Sequence, residues 1–246
     1  MTTYRPDPTT GAASGLRAAA ALSTLARNLA ETSGVLPTLH EIAAQSVELV
    51  PCDWAAVAVG ERFTSKPARL ASSTDDELMA TVSAVAGEAG RSPGIAAFET
   101  GVLVRCDDLS DEPRFAEYAA SIVARTPIRA VMSIPLRLND TILGVLTVYS
   151  ARPHVFDALA ESRATLVGEH AAVAVEAARS GDRAEHLELA LEHSRTIGAA
   201  IGILVERHRI LPDEAFQRLR ETSQHHNRKL ADVAADLVET GTLPVD

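Results

Sequence analysis

Between residues 195 and 229 the chain gathers seven basic side chains, Arg195, Arg207, Arg209, Arg218, Arg220, Arg228 and Lys229, against four acids, Glu206, Asp213, Glu214 and Glu221. The segment carries a net +3 inside a chain whose formal net charge is −10. Cations concentrated in one short stretch of an acidic protein suit a local phosphate-binding face, while the acidity elsewhere argues against nonspecific nucleic-acid binding by the whole surface. Arg195, Gly202 and Arg209 recur at a spacing of seven, which puts them on one helical face. Gly202 has no side chain and lets a phosphate or base approach the backbone closely; its bland alternative is close helix packing. Arg220 and Ser223 are three apart on a second helical repeat. Arg228 and Lys229 precede a third, where unpaired N–H groups and the helix dipole also attract phosphate. Arginine planes stack on unpaired bases as well, although an arginine on a small helical unit often serves only as a solvated surface group.

Other chemistry finds less support. Cys52 and Cys106 are too few for a disulfide framework, and their spacing fits no zinc motif. A thiol reaction would need a nucleophile of low pKa and a resolving partner. Only Arg105 stands beside Cys106, and no basic cluster surrounds Cys52. His186 and His193 are seven apart with no third ligand in view, so the reading includes no metal. No Gly-rich phosphate loop precedes a helix after a strand, and no cofactor is expected.

The elements that must position the basic residues are three helices. The first runs from about Leu187 to Arg209, its apolar stripe traced by Leu187, Leu191, Ser194, Gly198, Ile201 and Val205 and widened by Ile197 and Leu204. The second starts at Pro212, with Asp213 and Glu214 in the first turn and Phe216 and Leu219 facing inward. The third takes Asn227 as N-cap, repeats Leu230, Val233, Ala234 and Leu237, and stops at Gly241. A unit this small gains from packing against a partner copy or the preceding helix.

Upstream, the pattern is mixed. Leu22, Leu25 and Leu29 follow helical spacing, as do Leu39, Ile42, Ala43 and Val47 after Pro37. "WAAVAV" (54–59) reads as a buried strand, and "ARLASS" (68–73) pairs back with it across a loop holding Lys66 and Pro67. Thr74 and Glu77 have capping-box spacing ahead of Leu78, Val82 and Val85. A short helix closed by Gly101, a strand "VLVRC", an acidic loop "DDLSDEPRF" and a helix within 113–125 follow. "AVMSIPLRL" (130–138) and "TILGVLTVYS" (141–150) flank Asn139-Asp140, a two-residue hairpin turn. Residues 157–179 are helical again, and Gly181 is expected to break or kink the helix before the basic segment, with Asp182 and Glu185 as a new capping box.

Residues 16–179, with "IPLRLNDTILGVLTVYS", the Asp111–Phe115 loop and a long closing helix, resemble a GAF domain. The stretch from Ser194 to Leu243 resembles the ANTAR family on Ser194-Arg195, Ile197, Ala200, Gly202-Ile203-Leu204, Glu206-Arg207, Asp213 to Phe216, Leu219-Arg220, Ser223, Asn227 to Leu230 and Val233-Ala234. Ala199 departs from the polar residue expected there, and Val205 replaces the usual Met. The expected fold is therefore an α+β GAF domain, with an antiparallel sheet flanked by helices, followed by an all-α three-helix ANTAR module. Residues 1–15 are expected to be disordered, 16–179 to form the GAF domain, 180–186 a linker or helical junction, and 187–246 the ANTAR domain.

The resemblance implies a sensor-coupled antiterminator rather than an enzyme. The GAF domain would take a small ligand, the chain would form a homodimer, and the ANTAR module would bind paired stem-loops of a leader RNA, acting on the RNA polymerase elongation complex indirectly by suppressing an intrinsic terminator. Arg195, Ala200, Gly202, Arg209, Arg220, Ser223, Arg228 and Lys229 are the expected RNA contacts. The Asn-Lys…Phe…Asp-Glu pattern of cyclic-nucleotide-binding GAF domains is absent. With no stretch long and apolar enough to span a bilayer, the expected location is the cytoplasm. Three alternatives stay open: a GAF-fold thiol redox enzyme or sensor using Cys52 or Cys106, a DNA-binding helical regulator, and a ligand-free dimer scaffold.

Overall fold

A computed structural model of the chain describes residues 24, 27–29, 31–60 and 70–243. The expected disordered N-terminus, the Leu22 and Leu25 positions and the Lys66–Pro67 loop lie outside the described residues. The chain forms two compact units, Met1–Gly181 and Asp182–Asp246, and among the described residues no helix is long and apolar enough to cross a membrane.

The first unit is built on a five-stranded antiparallel sheet of order β2-β1-β5-β4-β3, with β1 at Trp54–Val59, β2 at Leu70–Ser73, β3 at Val104–Cys106, β4 at Ala130–Leu138 and β5 at Thr141–Ser150. β4 and β5 pair from Ala130↔Ser150 to Leu138↔Thr141 around the expected turn, where Asn139 takes φ 54°. The near-continuous apolar runs of these strands follow from burial of both sheet faces. On one face Val57, Met132, Ile134, Leu146 and Val148 pack with Leu39, Ile42 and Ala43 of α1 (Val35–Leu49) and with Ala164, Val167, Ala171 and Val175 of the long helix α5 (Ala158–His208). On the other, Val131 and Tyr149 meet Met79, Val82 and Val85 of α2 (Asp76–Ala89) and Tyr118, Ala119 and Ile122 of α4 (Ala116–Arg125). Two glycines permit close approach: a Cβ on Gly144 would fall 2.3 Å from the Ala58 carbonyl oxygen, and one on Gly168 would fall 2.7 Å from Ile134.

Several local expectations change. α1 begins before Pro37, which occupies the first turn, where its missing N–H breaks no helical bond. α2 is capped by Asp75, whose carboxylate accepts from the Leu78 N–H at 3.0 Å. Thr74 is not the cap, because its Oγ1 accepts from the Ala55 N–H of β1 at 3.0 Å. Ser92 caps α3 (Pro93–Thr100), and Gly101, at φ 66°, closes it. The acidic loop folds as two 3₁₀ turns, Leu109–Asp111 and Pro113–Phe115. The expected break at Gly181 is absent: α5 is helical throughout Ala158–His208. A glycine costs a helix interior only about 1 kcal/mol against alanine, less than the strong helix formers on both sides supply.

The second unit comprises the C-terminal part of α5, α6 (Pro212–His225) and α7 (Leu230–Thr240). Its core is Ala200 and Leu204 from α5, Ala215 and Leu219 from α6, and Val233, Ala234 and Leu237 from α7. Pro212 opens α6 with Asp213 and Glu214 in the first turn, and Gly241 ends α7 at φ 72°. Phe216 is only half-buried, and Ala215 takes the core position instead. α7 starts later than expected: Lys229 is its N-cap without a side-chain capping bond, while Asn227 adopts φ 48° in the turn, a left-handed conformation that Asn tolerates.

Candidate nucleic-acid interface and ligand cavity

The basic residues divide by what holds them. Arg195 and Arg220 are exposed, on α5 and α6, and neither forms an ion pair among the described residues. Lys229 is exposed at the start of α7. Gly202 is exposed, and a Cβ there would meet nothing within 4 Å, so no other part of the chain packs closely against it. Arg218 is paired with Glu214 at 3.0 Å. Arg209 is paired with Glu206 at 3.0 Å. It follows the last helical residue with φ 55°, so it does not continue the helical face of Arg195 and Gly202 as the spacing implied. Ala200 is fully buried among Leu204, Leu219 and Leu237; it is a packing residue, and the expectation that it meets RNA is corrected.

Ser223, Arg228 and Lys229 are brought together at the α6–α7 turn. The Ser223 hydroxyl donates to the Arg228 carbonyl at 2.6 Å, and the Arg228 N–H donates to the Ser223 carbonyl at 3.0 Å. This reciprocal pair closes the turn and presents the Arg228 side chain. That guanidinium lies 2.5 Å from Asp236, the hydrogen bond holding the Asp236 carboxyl below its ordinary range and raising Arg228 above its own. Any phosphate reaching Arg228 must therefore compete with Asp236. Arg207, which the spacing argument did not single out, donates to the carbonyl of Gly241 and so ties the end of α7 to α5. An arginine near one helix terminus and a glycine stop on another are not linked by any local sequence pattern.

The first unit holds a cavity of about 520 Å³ between the sheet and α2, reached by the N-terminus of α3 and by Tyr118 of α4. Its floor is β1, β2 and β5, with Ala56, Ala58, Ala71, Val145, Thr147 and Tyr149; its roof includes Met79, Ala80, Ala84 and Gly87. The volume is that of a small-molecule site, a few hundred to about 1,000 Å³. Around it the Ser73 hydroxyl donates to Asp76 at 2.6 Å, Ser133 and Thr147 share a hydrogen bond at 3.1 Å, and Ser92 accepts from the Ile95 N–H at 3.3 Å. Burial pushes the Tyr118 and Tyr149 phenols above their ordinary range, so both stay neutral hydroxyls.

The two thiols are poor nucleophiles. Cys106 is fully buried, and Cys52 donates to the Ser46 carbonyl at 3.7 Å. Burial first, then a hydrogen bond with Glu112, pushes Cys106 up to about 12; burial and then Asp53 push Cys52 up to about 12. At neutral pH the thiolate fraction is on the order of one in 10⁵.

No curated protein matches the chain. The first unit is similar to solved GAF domains: that of a phosphoenolpyruvate-protein phosphotransferase from Coxiella burnetii (12% identity, 68% of this chain and 98% of that one, TM-score 0.53), that of an Acinetobacter phosphoenolpyruvate-protein phosphotransferase (14%, 65% and 93%, 0.50) and that of the cyanobacteriochrome TePixJ (15%, 61% and 94%, 0.50). At these identities the likeness is one of fold. The model of the ANTAR domain matches residues 185–238, and that of the GAF domain matches residues 36–176, more than half of the chain. With a cavity-bearing antiparallel sheet followed in the chain by a three-helix unit that bears exposed cations, the chain belongs to the GAF family and carries an ANTAR domain after its GAF domain, the architecture of a regulator that couples signal sensing to transcription antitermination.

Proposed function

We propose that the chain is a ligand-responsive RNA-binding antiterminator without enzymatic activity. A small molecule occupies the cavity under α2, and the helical unit binds paired stem-loops in a leader RNA, favouring the conformer that excludes an intrinsic terminator. The observation that carries this reading is the set of exposed cations, Arg195, Arg220 and Lys229, on the ANTAR unit of a chain of net charge −10, beside an exposed Gly202 whose backbone is open to a ligand. The thiols, both pushed up to about 12, argue against the redox alternative. Two stem-loops call for two copies of the unit. A homodimer is supported by Leu159, Leu166 and Val173, which recur every seven residues on α5 and are 53%, 39% and 58% exposed, a seam that a second copy would bury.

The test is a titration of the full chain with a two-hairpin leader RNA, the same RNA with scrambled loops, and a DNA duplex of equal length, at two salt concentrations. Tight binding that needs the loops is expected. Preference for the duplex would turn the reading to a DNA-binding regulator. Weak, equal and salt-sensitive binding to all three, with and without candidate ligands, would defeat it.

A further inference from the structure

The cavity's lining goes beyond saying that a ligand binds. Among the described lining residues the only charged one is Asp76, at the exposed rim, and the Ser73 hydroxyl already donates to its Oδ1. No arginine, lysine or histidine is among them. Among the described residues, a phosphate or carboxylate placed there would find no compensating cation for its lost hydration and would face the Asp76 carboxylate at the mouth. The walls are small and apolar: Ala56 and Ala58 in the floor, Ala84 and Gly87 in the roof, where a Cβ on Gly87 would meet nothing within 4 Å.

One group inside is built for a polar contact. Tyr118 is 2% exposed and lines the cavity, yet its hydroxyl makes no hydrogen bond among the described residues. That hydroxyl is not among the fully buried unpartnered polar atoms, so it keeps accessible surface at which a ligand can donate or accept a hydrogen bond. Elsewhere in the lining, Thr147 shares a hydrogen bond with Ser133, and the Ser92 hydroxyl accepts from the Ile95 N–H at the start of α3.

We infer that this cavity takes a compact, uncharged, mainly apolar molecule bearing one polar group that hydrogen-bonds to the Tyr118 hydroxyl, and that it discriminates against phosphate- and carboxylate-bearing ligands. The inference rests on the reading of the GAF domain as the sensor and names the ligand class it senses.

The test uses the full chain and three probes: 2-naphthol, the similarly shaped anion 2-naphthoate, and a cyclic nucleotide. Calorimetric titration should give saturable binding of 2-naphthol at one site per chain, at least roughly ten-fold tighter than 2-naphthoate. Tyr118→Phe keeps the ring and removes the hydroxyl; thermal unfolding should be little changed, and 2-naphthol affinity should fall roughly three- to ten-fold, the worth of one neutral hydrogen bond. Ala84→Leu adds bulk at an exposed residue of the cavity's roof and should weaken 2-naphthol binding at least roughly ten-fold. Tighter binding of 2-naphthoate or the nucleotide would overturn the ligand class while leaving the sensor reading intact. Unchanged 2-naphthol affinity in Tyr118→Phe would overturn the anchor. Failure of every probe to saturate would overturn the inference, and with RNA affinity also unmoved by Ala84→Leu the sensor reading would fall too.

Discussion

Replacing Arg220 by glutamine removes one cation from the helical unit while keeping a polar side chain of similar reach on α6. Arg220 is exposed, with no ion pair among the described residues, so it enters a complex without first surrendering a partner. One guanidinium–phosphate contact at a screened surface contributes about 1 kcal/mol, or roughly five-fold in affinity. It also releases close to one counterion, so the slope of log K against log salt should become shallower by about 0.7–0.9. Arg228→Gln provides the internal control. Its guanidinium is held by Asp236 at 2.5 Å, so RNA gains only the difference between phosphate and carboxylate, and the loss should be roughly two-fold. Arg195→Gln with Arg220→Gln should approach the product of the single effects, since α5 and α6 present them independently. The assay is fluorescence anisotropy of a labelled two-hairpin RNA over a salt series, with thermal unfolding in parallel; stability of Arg220→Gln should stay within about 0.5 kcal/mol of wild type. Affinity and salt slope unchanged in Arg220→Gln would remove it from the interface. A larger loss in Arg228→Gln than in Arg220→Gln would show that ion-pairing in the free protein does not decide which arginines bind, and the reasoning would fail.

Four further outcomes follow from the same structure. Ala200→Leu should destabilise the helical unit by about 1–3 kcal/mol through overpacking of its small core, seen in chemical denaturation; wild-type stability with weakened RNA binding would return Ala200 to the interface. Gly181→Ala, where a Cβ would meet nothing within 4 Å, should raise stability by up to about 1 kcal/mol if the helix is continuous there, whereas a loss would indicate a broken helix. Alkylation of Cys52 and Cys106 by iodoacetamide at pH 8 should run roughly 10³ slower than a free thiol, because pKa values raised from 9.0 to about 12 leave few thiolates; the same raised values mean that the stability of the neutral buried thiols is fully present below pH 9.0 and is lost as pH climbs toward 12. Rapid labelling at pH 8 would contradict that burial. Leu166→Glu should convert a dimer to monomers in sedimentation velocity, and a wild-type monomer at tens of micromolar would eliminate the seam.

What the sequence disclosed, and what it withheld, follows the range of the interactions involved. The bounds of the β4–β5 hairpin were legible, because two apolar runs and an Asn-Asp turn are local signals; the register shift between Leu136 and Arg137 was not. Pro212 and Gly241 bounded helices for equally local reasons. The caps were less legible wherever polar residues cluster. At Thr74-Asp75 both side chains can cap, and the winner is decided by the Ala55 N–H, a group 19 positions away that takes the Thr74 hydroxyl. At Asn227 to Lys229 the choice turned on Asn accepting a left-handed backbone and on the Ser223–Arg228 clasp. Faces were uncertain by one residue, so Phe216 and Ala215 exchanged roles, and Ala200 was placed outside when it lies inside.

The functional sites sharpen the same point. The sum of charge over residues 195–229 is a property of composition and was readable at once, but a charge binds phosphate only to the extent that nothing else holds it. That depends on Glu206, Glu214 and Asp236, each of which takes one arginine out of a set that looked equivalent. The cavity was still less visible, because it is made by volume that is missing. Ala80 and Ala84 on α2 read as good helix formers, and Ala56 and Ala58 read as ordinary members of a buried strand. Only when the sheet brings β1, β5 and α2 around the same space do these alanines leave about 520 Å³ unfilled. Alanine satisfies the local requirement of a helix or strand while withholding the bulk that would close the core. A sensor domain can therefore be recognised from its strands and turns well before the position of its ligand can be read, and the chemistry of that ligand is set by side chains, Tyr118 and Asp76 among them, that share no local pattern.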